Sequence, residues 1–454
     1  MTKLRYPQGC AAGSEVHGIA SSPSDCAWNV NFNNGNSNWN NQDNEGFVRA
    51  VRPGECQPPV ELRDLHAAWR AARRGKKPSA SQLDFDTHWL DGLLRLQAEL
   101  NAGTWSPAPS TCFIAKEPKA REIHAPDFSD RVVHHWLVPQ LEALYEPVSI
   151  HDVYSNRIGK GTHAAVERLQ AFVRQVESGQ GGGWYLQLDV RNFFNSIHRP
   201  TLYRLLKARM LKHELSVQAQ RATHALLRRS VAGPFVRYRC TAAERATVPD
   251  YKRLENAAPG CGIAIGNLSS QFFANVYLDE LDQFVKHRLR ARRYLRYVDD
   301  FILVHQSREQ LLAWHCEIEQ FLAERLRLTL KPGSKLLPLR TGIDFLGYVI
   351  YPHFTLVRRR VVRHARARLD AWERSHVRRT GIAATPGQLR ELRSVCASYA
   401  GHFSHASSYR LRERIRARYP WLRTALRRRT FDRRAEGHAI LLSARFDLPS
   451  ERQR

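Results

Sequence analysis

The sequence predicts an α+β protein in which a small antiparallel sheet packs against helices. A strand-like segment runs from Trp184 to Asp189. Two short β-branched and aromatic segments, Tyr294–Val298 and Phe301–Val304, flank a pair of adjacent carboxylates and read as a tight hairpin. Between these strands, residues 269–289 have the apolar spacing of a helix. An antiparallel sheet with helices packed against it is typical of the α+β class.

Further elements are expected around this sheet in chain order. A glycine cluster at 179–183 separates a preceding helix from the first strand, as a flexible connection would. A long helical stretch, Leu202–Leu227, and a strand-like return, Pro234–Cys240, follow that strand. The helix over 269–289 is expected to pack behind the sheet. Its apolar face is formed by Phe272, Val276, Leu278, Leu281, Val285 and Leu289.

The C-terminal region predicts a capped helix over 385–403. Thr385 is a good N-cap, and Pro386 suits the first helical position. The predicted apolar face consists of Leu389, Leu392, Cys396, Tyr399 and Phe403. The surrounding sequence is rich in arginine, which suits a solvated face that lies on a phosphate backbone.

Length and composition indicate a globular protein without a membrane segment. The 454 residues are 43% hydrophobic, and a chain of this length suits about two or three subdomains. The sequence has no apolar run long enough for a membrane span and no secretory h-region. The eight cysteines include no C-x-x-C pair, which argues against zinc and disulfides. A cytoplasmic location with reduced thiols is therefore expected.

The charge balance predicts a polyanionic partner. Lys and Arg number 70 against 43 acidic residues, which gives a net charge of +27. Such an excess is the electrostatic footprint of nucleic acid binding and implies strong salt dependence. By itself, however, a basic surface does not separate nucleic acid from an acidic protein partner.

Three carboxylates point to the chemistry. Asp299 and Asp300 lie at the tip of the predicted hairpin, where two adjacent charges repel and a divalent cation is the natural counter-charge. A solvated turn is the alternative. If the strand that ends at Asp189 lies beside this hairpin, the three could hold two Mg²⁺ ions ~3.5–4 Å apart for in-line displacement at phosphorus. Mn²⁺ is an alternative that the sequence leaves open.

Five blocks of sequence, in order, resemble the reverse transcriptases over about residues 60–410. Asp189 stands at the position of the first catalytic aspartate, and Tyr297–Asp300 matches the signature hairpin. The other blocks are KEPKAREIHAPDFSDRVVHH at 116–135, YSNRIGKGTHAAVERL at 154–169 and GIDFLGYVI at 342–350. The resemblance implies a right-hand polymerase with fingers at 57–180, a palm at 181–355 and a basic helical thumb and tail at 356–454.

The resemblance also implies roles for individual residues. Asp189, Asp299 and Asp300 would be metal ligands, helped by the backbone carbonyl of Val190, with Asp300 contributing less directly. The proton donor to the leaving pyrophosphate would be Lys335, although Lys331 is close enough in sequence to leave this choice open.

Nucleotide-binding residues follow from the same blocks. Arg121 would clamp the incoming triphosphate, for which its planar fork is suited, and Lys116 would be a second clamp. Phe194 would be a steric gate against a ribose 2′-hydroxyl. Phe193 would point to the opposite side and join the core, if this segment is extended.

The last of these blocks predicts a grip on the primer. Leu346, Gly347 and Tyr348 would form a strand turn that brings backbone close to the primer end. Glycine is expected there because a Cβ would obstruct the approach.

The segment GCGIAIGNLSSQFFANVYLDELD at 260–282 indicates a subtype. Most relatives have Gln-Gly where this chain has Ile265–Gly266, and the following residues to Gln271 resemble diversity-generating retroelements. Such enzymes copy a template-repeat RNA with errors at adenines, and the cDNA replaces a variable region of a target gene. Glutamine at this position can donate a hydrogen bond to the incoming nucleotide, whereas an isoleucine at 265 can only pack. The geometry of the nascent base pair would therefore be checked less strictly. The alternative is a core residue on an apolar strand.

This subtype implies partners as well as chemistry. They are template RNA, an RNA or DNA primer, dNTPs and a small basic accessory oligomer, in a bacterium or phage and without a membrane. A retron-type enzyme that makes a faithful short cDNA is the alternative subtype.

The N-terminal residues 1–56 give a separate indication. They are rich in Asn interleaved with Trp28, Phe32 and Trp39, and resemble the segment that such retroelements diversify. Asn has adenine-rich codons, so a template repeat translated in frame would read this way. A disordered polar leader is the alternative. In both cases the segment is expected to be poorly ordered and dispensable for catalysis.

Overall fold

A computed structural model describes residues 58–75, 77–116, 119–178, 182–229, 233–426 and, for the backbone alone, 440–443. The Asn-rich leader predicted at 1–56 lies outside the described residues, as does the centre of the glycine cluster, 179–181. In the described part, no helix is both long enough and apolar enough to cross a bilayer.

The first half of the chain is mainly helical. Its elements are α1 (Leu62–Arg73), α2 (Ala80–Thr87), α3 (Trp89–Ala102), β1 (Ser110–Ala115), β2 (Arg121–Ala125), α4 (Phe128–Tyr145), α5 (Thr162–Glu177), β3 (Trp184–Asp189), α6 (Phe193–Ser196), α7 (Arg199–Lys212), α8 (Val217–Arg228), β4 (Val236–Tyr238), α9 (Ala242–Ala246) and α10 (Leu268–Gln283).

The second half alternates short strands with helices. Its elements are β5 (Tyr294–Tyr297), β6 (Asp300–His305), α11 (Arg308–Leu326), β7 (Lys335–Pro338), β8 (Ile343–Phe345), β9 (Tyr348–Ile350), β10 (Thr355–Val357), α12 (Arg359–His376), β11 (Val377–Arg378), β12 (Gly381–Ala384), α13 (Pro386–Ser404), α14 (Tyr409–Arg418), α15 (Leu422–Leu426) and β13 (Ile440–Ser443).

The central sheet has the order β5-β6-β3-β7, and each neighbouring pair is antiparallel. Alternate residues of its strands enter two separate cores. Leu186 and Leu303 pack with α10 and α11 on one face, and Tyr185 and Val304 pack with α5 on the other. Helices and an antiparallel sheet with both faces buried confirm the predicted α+β class.

A second sheet, of order β2-β1-β4, contains strands from both sides of the predicted boundary at 180/181. Strand β4 pairs in parallel with β1, with Ser110 opposite Val236. It belongs to the segment predicted as palm, yet it extends a sheet of the segment predicted as fingers. A division at 180/181 therefore does not separate the two sheets.

The long helical stretch predicted over Leu202–Leu227 is helical but not continuous. It is divided into α7 and α8, because Glu214 adopts a left-handed conformation with φ of 50°. The Ser216 side chain then caps the second helix by accepting from the Ala219 N–H.

The C-terminal module combines helices with a small sheet. Helix α13 begins where predicted: Thr385 and Gln388 form a capping box, and Leu389 and Leu392 are buried. The segment predicted as a basic helical thumb and tail also contains strands, because β11, β12 and β13 form an antiparallel sheet. The core of this module includes Trp421, which is fully buried.

Candidate active site

Three aspartates meet at one end of the central sheet. Strands β5 and β6 form the predicted hairpin, with Tyr297 paired to Asp300 and a two-residue turn at Val298 and Asp299. Asp189, the last residue of β3, lies directly opposite Asp300. The Val190 N–H donates to the Asp299 carbonyl at 3.3 Å, which ties the turn to the end of β3. The β-branched and aromatic run that predicted the hairpin thus also brings the carboxylates together.

These carboxylates are held in an unfavourable electrostatic environment. Burial and the charge of Asp189 raise the pKa of Asp299 to about 6. Burial raises the pKa of Asp300 to about 7, with further repulsion from Asp189 and Asp299, although a hydrogen bond from Gln187 opposes the rise. Mutual repulsion of this kind is the signature of a site that gains from a positive counter-charge.

The two candidate lysines interact differently with the carboxylates. Lys331 Nζ lies 3.0 Å from Asp189 Oδ2, and the Lys331 backbone N–H donates to the Asp189 carbonyl at 2.8 Å. Lys335 is exposed at the start of β7, opposite Gln187, and its charge favours ionised Asp300.

The donor set suits a divalent cation, but the Asp300 carboxylate already accepts a hydrogen bond from another side chain. Carboxylate and backbone oxygens from Asp189, Asp299 and Val190 are the ligands that Mg²⁺ prefers. The Asp300 carboxylate is engaged by Gln187 Nε2 at 3.1 and 3.3 Å. Within the described ranges, no group of three or more His, Cys, Asp or Glu side chains has the arrangement of a metal site. The two-ion arrangement therefore stays a prediction.

The structure brings only one of the two predicted triphosphate clamps to this end of the sheet. Arg121 is exposed at the start of β2. Its positive charge lowers the pKa of Asp299 and so opposes the effect of burial. Lys116 instead pairs with Glu244 Oε1 at 3.1 Å.

The two phenylalanines after β3 lie on a short helix, α6, so the condition of an extended segment is not met. Phe193 is buried, as predicted. Phe194 is half-buried, its carbonyl accepts from the Ile263 N–H at 3.0 Å, and the two rings meet edge to face with centroids 5.5 Å apart. Phe194 is thereby tied to the segment that leads to Ile265.

Ile265 and Gly266 form a turn just before α10 rather than part of a strand, so the alternative of a core strand residue is wrong. Ile265 is half-buried, and its carbonyl accepts from the His124 N–H at 2.8 Å. Gly266 has a φ of 122°, and a Cβ there would lie 3.0 Å from Ile123 Cγ2. Gln271 is exposed in the first turn of α10.

The predicted primer grip is the turn between β8 and β9. Leu346 and Gly347 have φ values of 49° and 91°. The Tyr348 hydroxyl donates to the His402 carbonyl at 2.9 Å, and the two rings stack at 4.2 Å. A Cβ at Gly347 would lie 3.0 Å from His402 Cε1. Glycine is therefore required by the backbone and by His402, a residue that the sequence analysis missed.

Other missed residues are polar positions on otherwise apolar strands. Gln187 on β3 and Arg296 on β5 interrupt apolar runs, and this interruption was the available signal. Gln187 holds Asp300, and Arg296 donates to the carbonyl of Val298 in the hairpin turn.

The chain is similar in sequence to a known protein family and to two known proteins. Residues 114–350, just over half of the chain, match the family model described as reverse transcriptase (RNA-dependent DNA polymerase). The group II intron-encoded protein LtrA of Lactococcus lactis subsp. cremoris is 24% identical over 297 residues, which cover 55% of this chain and 48% of LtrA. The protein YkfC of Escherichia coli (strain K12) is 22% identical over 56% of this chain and 69% of its own length.

The chain also has a weak similarity to a solved structure. Telomerase from Candida albicans, in complex with the TWJ fragment of telomeric RNA, superposes with a TM-score of 0.38 at 12% identity, covering 71% of this chain and 61% of that chain. The chain spans about half the length of LtrA, at 48%. On the match of the family model over residues 114–350, the chain belongs to the reverse transcriptase family of RNA-dependent DNA polymerases.

Proposed function

We propose that this chain is an RNA-directed DNA polymerase of a diversity-generating retroelement, which copies a template-repeat RNA with errors at adenines for mutagenic retrohoming. The observation that carries the polymerase function is the register that places Asp189 opposite Asp300, with Asp299 in the adjoining turn. The subtype is supported by Ile265, whose place in a half-buried turn leaves it available to contact a nucleotide. A small basic accessory oligomer is proposed as a partner on the resemblance alone.

The proposed organisation is that of a right hand. The β5-β6-β3-β7 sheet would be the palm, the β2-β1-β4 sheet with Arg121 would belong to the fingers, and the arginine-rich module from α12 onward would be the thumb. The net charge of +27 supports the binding of primer and template along these surfaces.

In the proposed mechanism, Asp189, Asp299 and the Val190 carbonyl would hold two divalent ions, with Asp300 in support. Reverse transcriptases generally use such ions, which activate the attacking 3′-hydroxyl and stabilise the leaving pyrophosphate when bound. Arg121 would orient the triphosphate through its planar fork. Phe194 would exclude a ribose 2′-hydroxyl.

Of the two lysines, we propose Lys335 as the proton donor to pyrophosphate. The Lys331 ammonium is already engaged by Asp189 Oδ2, whereas the charge of Lys335 acts on Asp300. Lys335→Met is expected to slow nucleotide addition by ~10²-fold, the scale of a lost general acid. Lys331→Met is the matched variant and is expected to have a smaller effect. Single-turnover rates in H₂O and D₂O measure both. The assignment is reversed if the solvent isotope effect is lost in Lys331→Met and kept in Lys335→Met.

The mutagenic subtype is tested by changing Ile265. Ile265→Gln restores a hydrogen-bond donor next to the nascent pair, and we expect it to lower errors at template adenines more than at other bases. Ile265→Leu keeps an apolar side chain and is the matched control. The measurement is sequencing of cDNA made on RNA transcribed from around the chain's own gene, with any small basic protein encoded beside it supplied. Adenine errors that are unchanged in Ile265→Gln would remove the role proposed for this residue.

The same sequencing of cDNA distinguishes the alternative functions. Faithful cDNA of a fixed short length would favour the retron type. Faithful copying of long templates would favour an enzyme like the one encoded by a group II intron, to which the 24% identity with LtrA lends support.

A further inference from the structure

The turn that carries Asp299 has an unusual backbone. Val298 adopts the left-handed conformation with φ of 57°. A β-branched residue rarely takes this conformation, because its Cβ approaches the backbone too closely. Strained residues of this kind persist where their surroundings over-determine them, and they concentrate at functional sites.

Both backbone polar groups of Val298 are held by side chains. The Val298 N–H donates to Ser155 Oγ at 3.0 Å, and the Val298 carbonyl accepts from Arg296 Nη1 at 2.9 Å. The two peptide groups that flank this residue are thereby fixed from opposite ends. The left-handed conformation is thus maintained by contacts outside the turn itself.

Ser155 reaches the turn through a strand-like pairing. Residues 152–154 run parallel to β5, with the Arg296 N–H donating to the Asp152 carbonyl and the Tyr154 N–H donating to the Arg296 carbonyl, both at 3.0 Å. This register brings Ser155, which is 1% exposed, beside Val298. Asn275 then holds Ser155 in place: its Nδ2 donates to the Ser155 carbonyl at 2.9 Å, and its Oδ1 accepts from Ser155 Oγ at 3.2 Å.

Arg296 is fixed by a buried carboxylate. Its Nε donates to Asp282 Oδ1 at 2.8 Å, and its Nη2 pairs with Asp282 Oδ2. The Tyr294 hydroxyl also donates to Asp282 Oδ1, at 2.7 Å. Arg296 is 1% exposed and Asp282 is fully buried. A two-point contact with a carboxylate leaves the planar guanidinium little freedom.

Asp299 depends on this turn more than its neighbours do. Asp189 and Asp300 lie opposite each other in the β3–β6 ladder, which fixes their backbones. Asp299 lies outside the ladder, one residue after Val298. Its carbonyl is tied to the Val190 N–H, and the geometry of the turn then decides where its carboxylate points.

We propose that Ser155 and Arg296, anchored by Asn275 and Asp282, are positioning residues that impose the left-handed conformation on Val298 and so orient the Asp299 carboxylate. This proposal deepens the proposed polymerase function and rests on it for its catalytic consequence. The positioning itself is a property of the backbone, which can be measured separately.

The test uses the full chain with Ser155→Ala, the conservative variant Ser155→Thr and the control Thr223→Val. Thr223 is also fully buried, but its hydroxyl donates to Ala219 within α8. The first readout is amide hydrogen exchange of the peptide that spans 294–304. In Ser155→Ala it is expected to speed up by ~10-fold or more, since the Val298 N–H loses its acceptor. Thr223→Val should leave that peptide unchanged, and Ser155→Thr should restore most of the protection.

The second readout separates positioning from mere stability. Ser155→Ala is expected to lower kcat by ~10-fold or more with little change in the KM for primer–template, because a small misplacement of a catalytic group is costly. Ser155→Thr should recover most of kcat. Exchange at 294–304 that matches the wild type in Ser155→Ala would overturn the proposal. So would faster exchange with an unchanged kcat in an active enzyme. If the wild-type chain makes no DNA, the proposed function fails, while hydrogen exchange still decides whether Ser155 holds the turn.

Discussion

Asp299→Asn is expected to abolish DNA synthesis, with a loss on the order of 10³-fold or more. Stabilisation of charge by bound metal is worth several kcal/mol, and each ~1.4 kcal/mol corresponds to a factor of ten in rate. The amide keeps the shape of the side chain but removes the negative charge that would face Asp189 across the proposed metal site. Primer extension on an RNA template, with Mg²⁺ supplied, measures the loss.

Thermal unfolding distinguishes a loss of chemistry in Asp299→Asn from a loss of folding. The Asp299 carboxylate is half-buried and repelled by Asp189, so its replacement by a neutral amide should leave Tm unchanged or raise it. Asp84→Asn, on the exposed surface of α2, is the control and should keep full activity. Undiminished synthesis by Asp299→Asn would contradict the polymerase mechanism. Retained nucleic-acid binding with no synthesis even in the wild type would indicate a binding module built on a polymerase fold.

Asp282→Asn is expected to cause the largest loss of stability, about 3–5 kcal/mol in the free energy of unfolding. Removal of one partner from a buried ion pair leaves the other charge without compensation, and here Arg296 is 1% exposed. Urea unfolding measures the change. Glu99→Gln is the control, because Glu99 pairs with Arg95 at 3.9 Å on the surface and should contribute less than about 1 kcal/mol.

A double replacement tests the reason for this loss. Asp282→Leu combined with Arg296→Met removes both charges and should recover much of the stability, as apolar replacement of a buried pair often does. It should not recover activity, because the Val298 carbonyl still lacks its donor. A single Asp282→Asn variant as stable as the wild type would contradict the ion-pair argument.

Local sequence patterns were sufficient to predict part of this site. The β-branched and aromatic run around Asp299 predicted the hairpin, and Thr385 with Pro386 predicted the start of α13 within a residue. In both cases the signal is contained in a few neighbouring residues. The same is true of Asp189, because a strand that ends in a single carboxylate is visible in the sequence.

Contacts between distant residues could not be predicted in this way. Ser155 and Val298 are separated by 143 positions, and their contact depends on a parallel pairing that leaves no periodic pattern. The pairing of β4 with β1 and the stacking of His402 on Tyr348 are also contacts between residues that are distant in sequence. Arg121 and Ile265 were singled out by resemblance alone. Only the structure relates them, through the hydrogen bond that the His124 N–H in β2 donates to the Ile265 carbonyl in the turn before α10.

The stacking of His402 on Tyr348 links the turn proposed as the primer grip mechanically to the arginine-rich module. The Gly347 carbonyl accepts from the Arg358 N–H at 2.9 Å, next to the start of α12, and His402 from α13 covers the turn. Any displacement of α13 must therefore carry the turn with it or break the stack. If α13 contacts the product duplex as proposed for the thumb, a shift of the duplex would therefore be transmitted through His402 to the turn at Leu346 and Gly347.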